Sequence, residues 1–279
     1  MYTNLVLSGG GVKGIAIISA ISELEKMGIL KNITNYAGAS VGSLIACLIA
    51  IGYTANEIKG IINTIDYDKI LDDKAGYIRD VYNLITDYGY ASGDYLYNMI
   101  GKLIKDKTGN IDYTLEDLYN KQHKKLIITT TNLNTRSVVY LQAGHTNTHY
   151  SNITLRKAIR MSMSIPFVFE PVLYHDCLHV DGGCLDNYPL NCFDPYGKTL
   201  GLRLVQDRPE KQEINNLYDY SYAYIETFLA ENDRKHKDTD RTIVIKTAQY
   251  GLSKFVLTEE EKQTLMKQGK EAVKNYFKV

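Results

Sequence analysis

Short apolar runs bounded by glycine or polar clusters alternate along this chain with stretches in which apolar residues recur every three or four positions. Such alternation predicts strands and helices taking turns, the pattern of an α/β protein with a mostly parallel sheet. Thr3 to Ser8 reads as a buried strand, broken at Gly9-Gly10-Gly11-Val12-Lys13-Gly14, and helical spacing follows from Ile15 to Met27 before Gly28. The unit then repeats. An apolar run from Ile33 stops at Gly38-Ala39-Ser40-Val41-Gly42 and restarts as a helix-like segment to Ile51.

Further on, Lys125 to Leu133, Ser137 to Leu141, Val172 to Val180, Thr199 to Val205 and Arg241 to Lys246 are strand-like. Leu115 to Tyr119 reads as one helical turn capped by Thr114, with Asp117 at the capping-box position. Thr154 to Met163 has helical spacing and ends before Pro166, and a helix is expected around Ile214 to Leu229. Thr258 with Glu261 makes a capping box for a last helix, whose Leu265, Ala272 and Tyr276 form a docking face.

From Ile65 to Ile100 the periodicity fades, and tyrosines such as Tyr67, Tyr77, Tyr88 and Tyr95 interleave with seven aspartates. Short helices and loops rather than core are expected there. The segment reads either as a mobile cap whose tyrosines sit at a lipid–water interface or as a solvated insertion packing on itself. Asp66, Asp68, Asp72 and Asp73 lack the D-x-D-x-D/N-G spacing of a calcium loop, so a solvated acidic surface is expected and no metal site. With no repeat, low-complexity tract or linker, the expectation is a single domain over residues 1–279, with a cap or insert at 65–100 and a C-terminal docking helix at 258–277.

The 279 residues suffice for a substantial core, and a formal net charge of zero gives no basic footprint for nucleic acid. The longest uncharged apolar stretch, Val41 to Ile51, is 11 residues, against about 20 for a spanning helix. Met1 leads almost directly into the first strand, without a signal-peptide pattern. A cytoplasmic protein is therefore expected, and the reading of residues 65–100 as a cap adds peripheral contact with a membrane or micelle surface. Cys47, Cys177, Cys184 and Cys192 show no C-x-x-C spacing, which suggests free thiols rather than a zinc or redox site.

Gly38-Ala39-Ser40-Val41-Gly42 is G-x-S-x-G. A sharp strand-to-helix turn needs residues without bulk on both sides, so Gly38 and Gly42 let the backbone crowd while Ser40 occupies the apex, near the free N–H groups of the next helix. The loop Gly9 to Gly14 literally fits G-x-G-x-x-G, but a dinucleotide site predicts an acidic residue ending the second strand, and none occurs between Glu25 and Glu57. No Gly-Lys-Ser/Thr is present for a phosphate loop. The use left is an oxyanion hole, its N–H groups facing the alkoxide formed when Ser40 attacks an ester. Loops after adjacent parallel strands lie at one sheet edge, so loop and elbow can converge. Asp181-Gly182-Gly183, taken alone, reads as a hairpin turn.

Taken together, the glycine loop, the serine elbow and Asp181-Gly182-Gly183 resemble, in order and spacing, the patatin-like phospholipase family. Thr114-Leu115-Glu116-Asp117-Leu118, Ser164-Ile165-Pro166 and Asn187-Tyr188-Pro189 are similar to that family as well, and the resemblance runs from about Leu5 to about Leu204. It implies a three-layer sandwich whose mostly parallel central sheet is flanked by helices. It further implies a Ser–Asp dyad with Ser40 as nucleophile and Asp181 as its partner, Gly9, Gly10, Gly11, Val12, Lys13 and Gly14 as oxyanion hole, lipid acyl esters as substrates, and no cofactor. Family members often carry an acidic residue where Ser8 stands. A triad remains as an alternative: His175 and His179 precede Asp181, and His236 follows it in the charged stretch Asp233 to Asp240, a poor setting for a buried base. A soluble carboxylesterase or thioesterase using the same dyad, and a nucleotide-binding module using the glycine loop, are the other functions considered.

Overall fold

A computed structural model of the chain describes residues 1–64, 67–70, 84–145, 150–193, 198–206, 213–234, 240–247, 254 and 256–278. Strand β1 (Asn4–Leu7) leads through the glycine loop into α1 (Gly14–Lys26), and β2 (Asn35–Gly38) leads through the serine turn into α2 (Val41–Ala50). Helices α3 (Ala55–Thr64) and α4 (Tyr67–Ile70) precede β3 (Gly89–Ala91), α5 (Asp94–Thr108) and α6 (Leu115–Gln122). Next come β4 (Lys125–Asn132), β5 (Ser137–Leu141), α7 (Leu155–Ser162), β6 (Phe167–Phe169), β7 (Val172–Tyr174), β8 (Cys177–Asp181) and the one-turn α8 (Gly183–Asp186). Then follow β9 (Thr199–Gln206), α9 (Leu217–Arg234), β10 (Thr242–Thr247) and α10 (Glu259–Phe277).

The main sheet runs β10-β9-β1-β2-β4-β8-β7, with β5 also paired to β4. Pairing is parallel from β10 to β4 and antiparallel beyond, so the central sheet is mixed. Leu7 pairs with Gly38 and Gly38 with Ile128, which brings the loops after β1 and β2 to one edge. Side chains of β1 alternate between two cores as the pleat requires. Leu5 and Leu7 face the large core under α1, α2, α5 and α10, while Val6 faces a smaller one closed by Tyr188, Leu190 and Phe193.

The capping boxes at Thr114/Asp117 and Thr258/Glu261 are both formed. Helix α10 packs along α1 and buries Leu265, Gly269 and Val273, with Ala272 and Tyr276 flanking that contact.

Two sequence expectations change. Residues 94–100 belong to the core, because α5 continues to Thr108 and turns Leu96, Ile100, Leu103 and Ile104 inward at helical spacing. The interleaved tyrosines and aspartates had masked that stripe. The run Val172 to Val180 is two strands, since His175 (φ 46°) and Asp176 (φ 60°) form a left-handed two-residue hairpin turn between β7 and β8. Asp181-Gly182 is consequently not a hairpin turn. It ends β8 and opens α8. Of the residues considered for calcium, Asp66, Asp72 and Asp73 lie outside the described residues, as does His236.

Candidate active site

Ser40 stands between β2 and α2 with φ 51° and ψ −131°, a backbone conformation that costs about 1–3 kcal/mol for a residue with a side chain. The flanking glycines are sterically required. A Cβ on Gly38 would lie 2.5 Å from the Gly42 carbonyl group, and one on Gly42 would lie 2.4 Å from the Ser8 carbonyl oxygen. Hydrogen bonds hold the turn from both sides: the Ser40 N–H donates to Ser162 Oγ at 2.9 Å, and the Ser43 hydroxyl donates to the Ser40 carbonyl at 2.6 Å. The Ser40 hydroxyl itself does not cap α2, although serine at that position commonly does. It is left available at the apex.

Asp181 sits at the end of β8, 3% exposed. Its N–H donates to the Ser164 carbonyl at 2.8 Å, its carbonyl accepts from the Thr131 hydroxyl at 3.0 Å, and Oδ1 accepts from the Gly183 N–H at 2.7 Å. The Ser40 hydroxyl reaches the Asp181 carboxyl closely enough to favour its ionised form, yet no well-aligned hydrogen bond closes between them, and Oδ2 is buried without a partner. Burial raises the carboxyl pKa from 3.8 to about 7, opposed by the Ser40 hydroxyl and the Gly183 N–H. An aspartate so placed holds a proton far more readily than one in water.

The glycine loop abuts this pair. A Cβ on Gly9 would come within 3.1 Å of Ser40 Cβ, and Val41 packs over Gly14. Three of the loop's N–H groups are engaged: Gly9 donates to the Asn187 carbonyl, Lys13 to the Gly10 carbonyl, and Gly14 to the Gly11 and Val12 carbonyls. Those of Gly10, Gly11 and Val12 find no acceptor among the described residues, and neither does that of Val41. Ser40 and the loop open into an apolar cavity of about 130 Å³. Its walls come from α1 (Ile15, Ile18), α2 (Leu44, Leu48), α3 (Ile58, Ile62) and α5 (Leu96, Met99), closed by Ile165 and Phe169.

The described histidines lie elsewhere. His179 is fully buried, with Nε2 3.2 Å from the Tyr150 hydroxyl, and burial lowers its pKa to about 4. His175 occupies the β7–β8 turn beside Tyr174. No histidine bonds to Ser40 or Asp181 among the described residues. Nor does any group of three or more acidic, histidine or cysteine side chains there suit a metal ion.

Ser162 escaped the sequence at this site, and Asn187 entered only as part of the motif Asn187-Tyr188-Pro189. Ser162, besides receiving the Ser40 N–H, offers its carbonyl to the Gly182 N–H at 3.3 Å, so one residue ties the elbow to the aspartate loop. Asn187 receives the Gly9 N–H and places its side chain beside Gly9 and Gly183. The signal for Ser162 was a small polar residue at the inward end of an otherwise amphipathic helix.

Among known proteins, the chain is 35% identical to protein R571 of Acanthamoeba polyphaga mimivirus over 97% of its own length and 92% of that protein. It is 30% identical to the "probable lipid hydrolase 463L" of invertebrate iridescent virus 6, over 68% of this chain and 62% of that one. In fold it superposes on VipD from Legionella pneumophila with a TM-score of 0.72 at 18% identity, covering 99% of this chain and 67% of VipD. The model of the patatin-like phospholipases matches residues 5–194, which span the glycine loop, the serine elbow and the Asp181 turn, and the chain therefore belongs to the patatin-like phospholipase family.

Proposed function

We propose that this chain is a serine lipid acyl hydrolase of the phospholipase A type, with Ser40 as nucleophile and Asp181 as its proton acceptor. In the first step the Ser40 Oγ attacks the ester carbonyl carbon while its proton passes to Asp181 Oδ2, the carboxylate oxygen without a partner. The carbonyl oxygen, now negative, is met by the N–H groups of Gly10, Gly11 and Val12. Collapse of the tetrahedral species expels the alcohol, which takes the proton from Asp181 and leaves an acyl group on Ser40. Water then attacks that acyl-enzyme, with Asp181 again accepting the proton and returning it to Ser40 Oγ as the acyl C–Oγ bond breaks and the fatty acid leaves.

A Ser–Asp pair needs an unusually basic aspartate, because an ordinary carboxylate competes poorly for a serine proton. The raised Asp181 pKa supplies that basicity. Each backbone donor in such an oxyanion hole is typically worth about 10²–10³ in rate, so the glycine loop carries much of the acceleration. The apolar cavity beside Ser40 suits an acyl chain, at about 0.8 kcal/mol per methylene removed from water. Of the stretch expected to form a cap, α4 and the start of α5 supply Ile70, Leu96 and Met99 to the wall of that cavity. The whole chain is taken as one domain acting at a lipid surface from the cytoplasm.

The observation that carries this proposal is a strained serine with an uncommitted hydroxyl facing a buried, partnerless carboxylate oxygen at the mouth of an apolar cavity. The test is turnover of a short-chain ester and release of fatty acid from phospholipid micelles by wild type and Ser40→Ala. Hydrolysis of both, lost together in the variant, is expected. Ester turnover without phospholipid turnover would favour a soluble carboxylesterase or thioesterase, and turnover by folded Ser40→Ala would remove Ser40 from the chemistry.

A further inference from the structure

Thirteen large apolar side chains stand exposed among the described residues, and eight of them lie on residues 85–88, β6, α8 and residues 214–228. These parts of the chain adjoin one another. Strand β3 pairs with β6, α9 packs on α8, and Ala91, Ile165, Phe169, Tyr222 and Ile225 share one buried cluster. Ile165 and Phe169 of that cluster also line the Ser40 cavity. The inner face of α9 thus supports the wall of the cavity. Its outer face carries Tyr220, Tyr224 and Phe228, one helical turn apart and 58%, 49% and 57% exposed. Their rings form a continuous row, with centroids 6.4 Å and 4.9 Å apart.

A contiguous aromatic row left in water costs solubility unless something covers it. We infer that this row is the surface by which the protein docks on a zwitterionic lipid–water interface. The inference rests on the reading of Ser40 as a lipid hydrolase nucleophile, whose substrate must pass from an aggregate into a cavity whose wall this helix supports. Composition and charge specify the interface. Tyrosine and phenylalanine on one face suit the headgroup boundary, where a ring can be apolar on one side and wet on the other. No lysine or arginine occurs between Glu213 and Asp233, while Asp219 and Glu226 are acidic, so along the row itself no cation attracts anionic headgroups. Docking should depend on ring burial and respond little to salt.

The test uses the full chain carrying Ser40→Ala, so that vesicles stay intact, and measures co-sedimentation with phosphatidylcholine vesicles. Adding Tyr224→Glu and Phe228→Glu should weaken partition by at least about tenfold, since two exposed rings leave the interface. In the Ser40-intact protein the same pair should lower vesicle phospholipid turnover by a similar factor and leave soluble short-chain ester turnover unchanged. Equal partition of the two proteins would overturn the inference. So would tight, salt-sensitive binding to anionic vesicles that the pair leaves intact. If wild type self-associates on size exclusion and the pair abolishes that without altering partition, the row covers a second copy and the lipid assignment is wrong. Vesicle binding needs no turnover, so a chain that hydrolyses neither ester overturns the dyad and leaves docking to be decided by partition alone.

Discussion

Replacing Asp181 by asparagine should abolish turnover and, in alkaline solution, make the protein more stable. Burial raises the folded pKa of this carboxyl from 3.8 to about 7. Because the folded value lies above the unfolded one, proton binding favours the folded state. That contribution is fully present below the unfolded pKa and is lost as the pH rises through the folded pKa. The wild type therefore loses stability at about 1.4 kcal/mol per pH unit between about pH 4 and pH 7, reaching on the order of 4 kcal/mol above that range. The asparagine side chain does not titrate and escapes this loss. Its carbonyl can still receive the Gly183 N–H, while its amide can donate to the Ser40 oxygen where Oδ2 now has no partner. A constant offset from that exchange does not alter the slope, and the titration of His179 and other groups cancels between the two proteins. Urea unfolding of wild type and Asp181→Asn at pH 5, 7 and 9 would give the difference at each pH. It should grow in favour of the variant up to pH 7 and then level off, while kcat/KM of the wild type rises about tenfold per pH unit toward a plateau above pH 7. A difference independent of pH, or one shrinking as pH rises, would refute the placement of Asp181 in a low-dielectric pocket.

Other substitutions test the surroundings. His179→Ala should cost about 2–3 kcal/mol of stability, as a fully buried side chain is lost, yet the folded protein should keep most of its kcat; loss of turnover with an intact circular dichroism spectrum would revive a triad. Ser162→Ala removes the acceptor for the Ser40 N–H and should lower kcat with little change in KM, because it loosens the elbow rather than the acyl cavity, and Ser162→Thr should restore part of the rate; an effect on KM alone would contradict this. Leu48 lines the cavity two turns beyond Ser40, about 12 Å along α2. Leu48→Phe should spare butyryl ester turnover and depress that of palmitoyl esters, and equal loss for both would place the acyl chain elsewhere.

Much of this architecture was legible in the sequence because its signals are local. The elbow is written in five consecutive residues: Gly38 is required by the Gly42 and Ser43 backbone within the turn, and Gly42 by Leu7 and Ser8 of the adjacent β1 unit. The pairing of β1 with β2 follows from strand–helix alternation, and with it the meeting of the glycine loop and Ser40. What the sequence concealed depends on contacts between distant residues. Ser162 matters only because α7 packs where the loops after β2 and β8 meet, and nothing near Ser162 announces Ser40 as its partner. The hairpin at His175-Asp176 went unseen because neither residue is a glycine, and left-handed backbone at such positions is imposed by the pairing of β7 with β8. The inward stripe of α5 was hidden by aromatic and acidic neighbours on its other faces. The basicity of Asp181 is wholly a product of burial, which no isolated Asp-Gly-Gly sequence discloses.

The most direct test of the account is to treat the protein with a fluorophosphonate, which reacts far faster with an activated serine than with other side chains, and to locate the adduct by peptide mass spectrometry. A single adduct on Ser40 is predicted, forming much more slowly in Asp181→Asn and not at all in Ser40→Ala. An adduct on another residue, or undiminished labelling of a folded Ser40→Ala variant, would contradict the claim that Ser40 and Asp181 carry the chemistry.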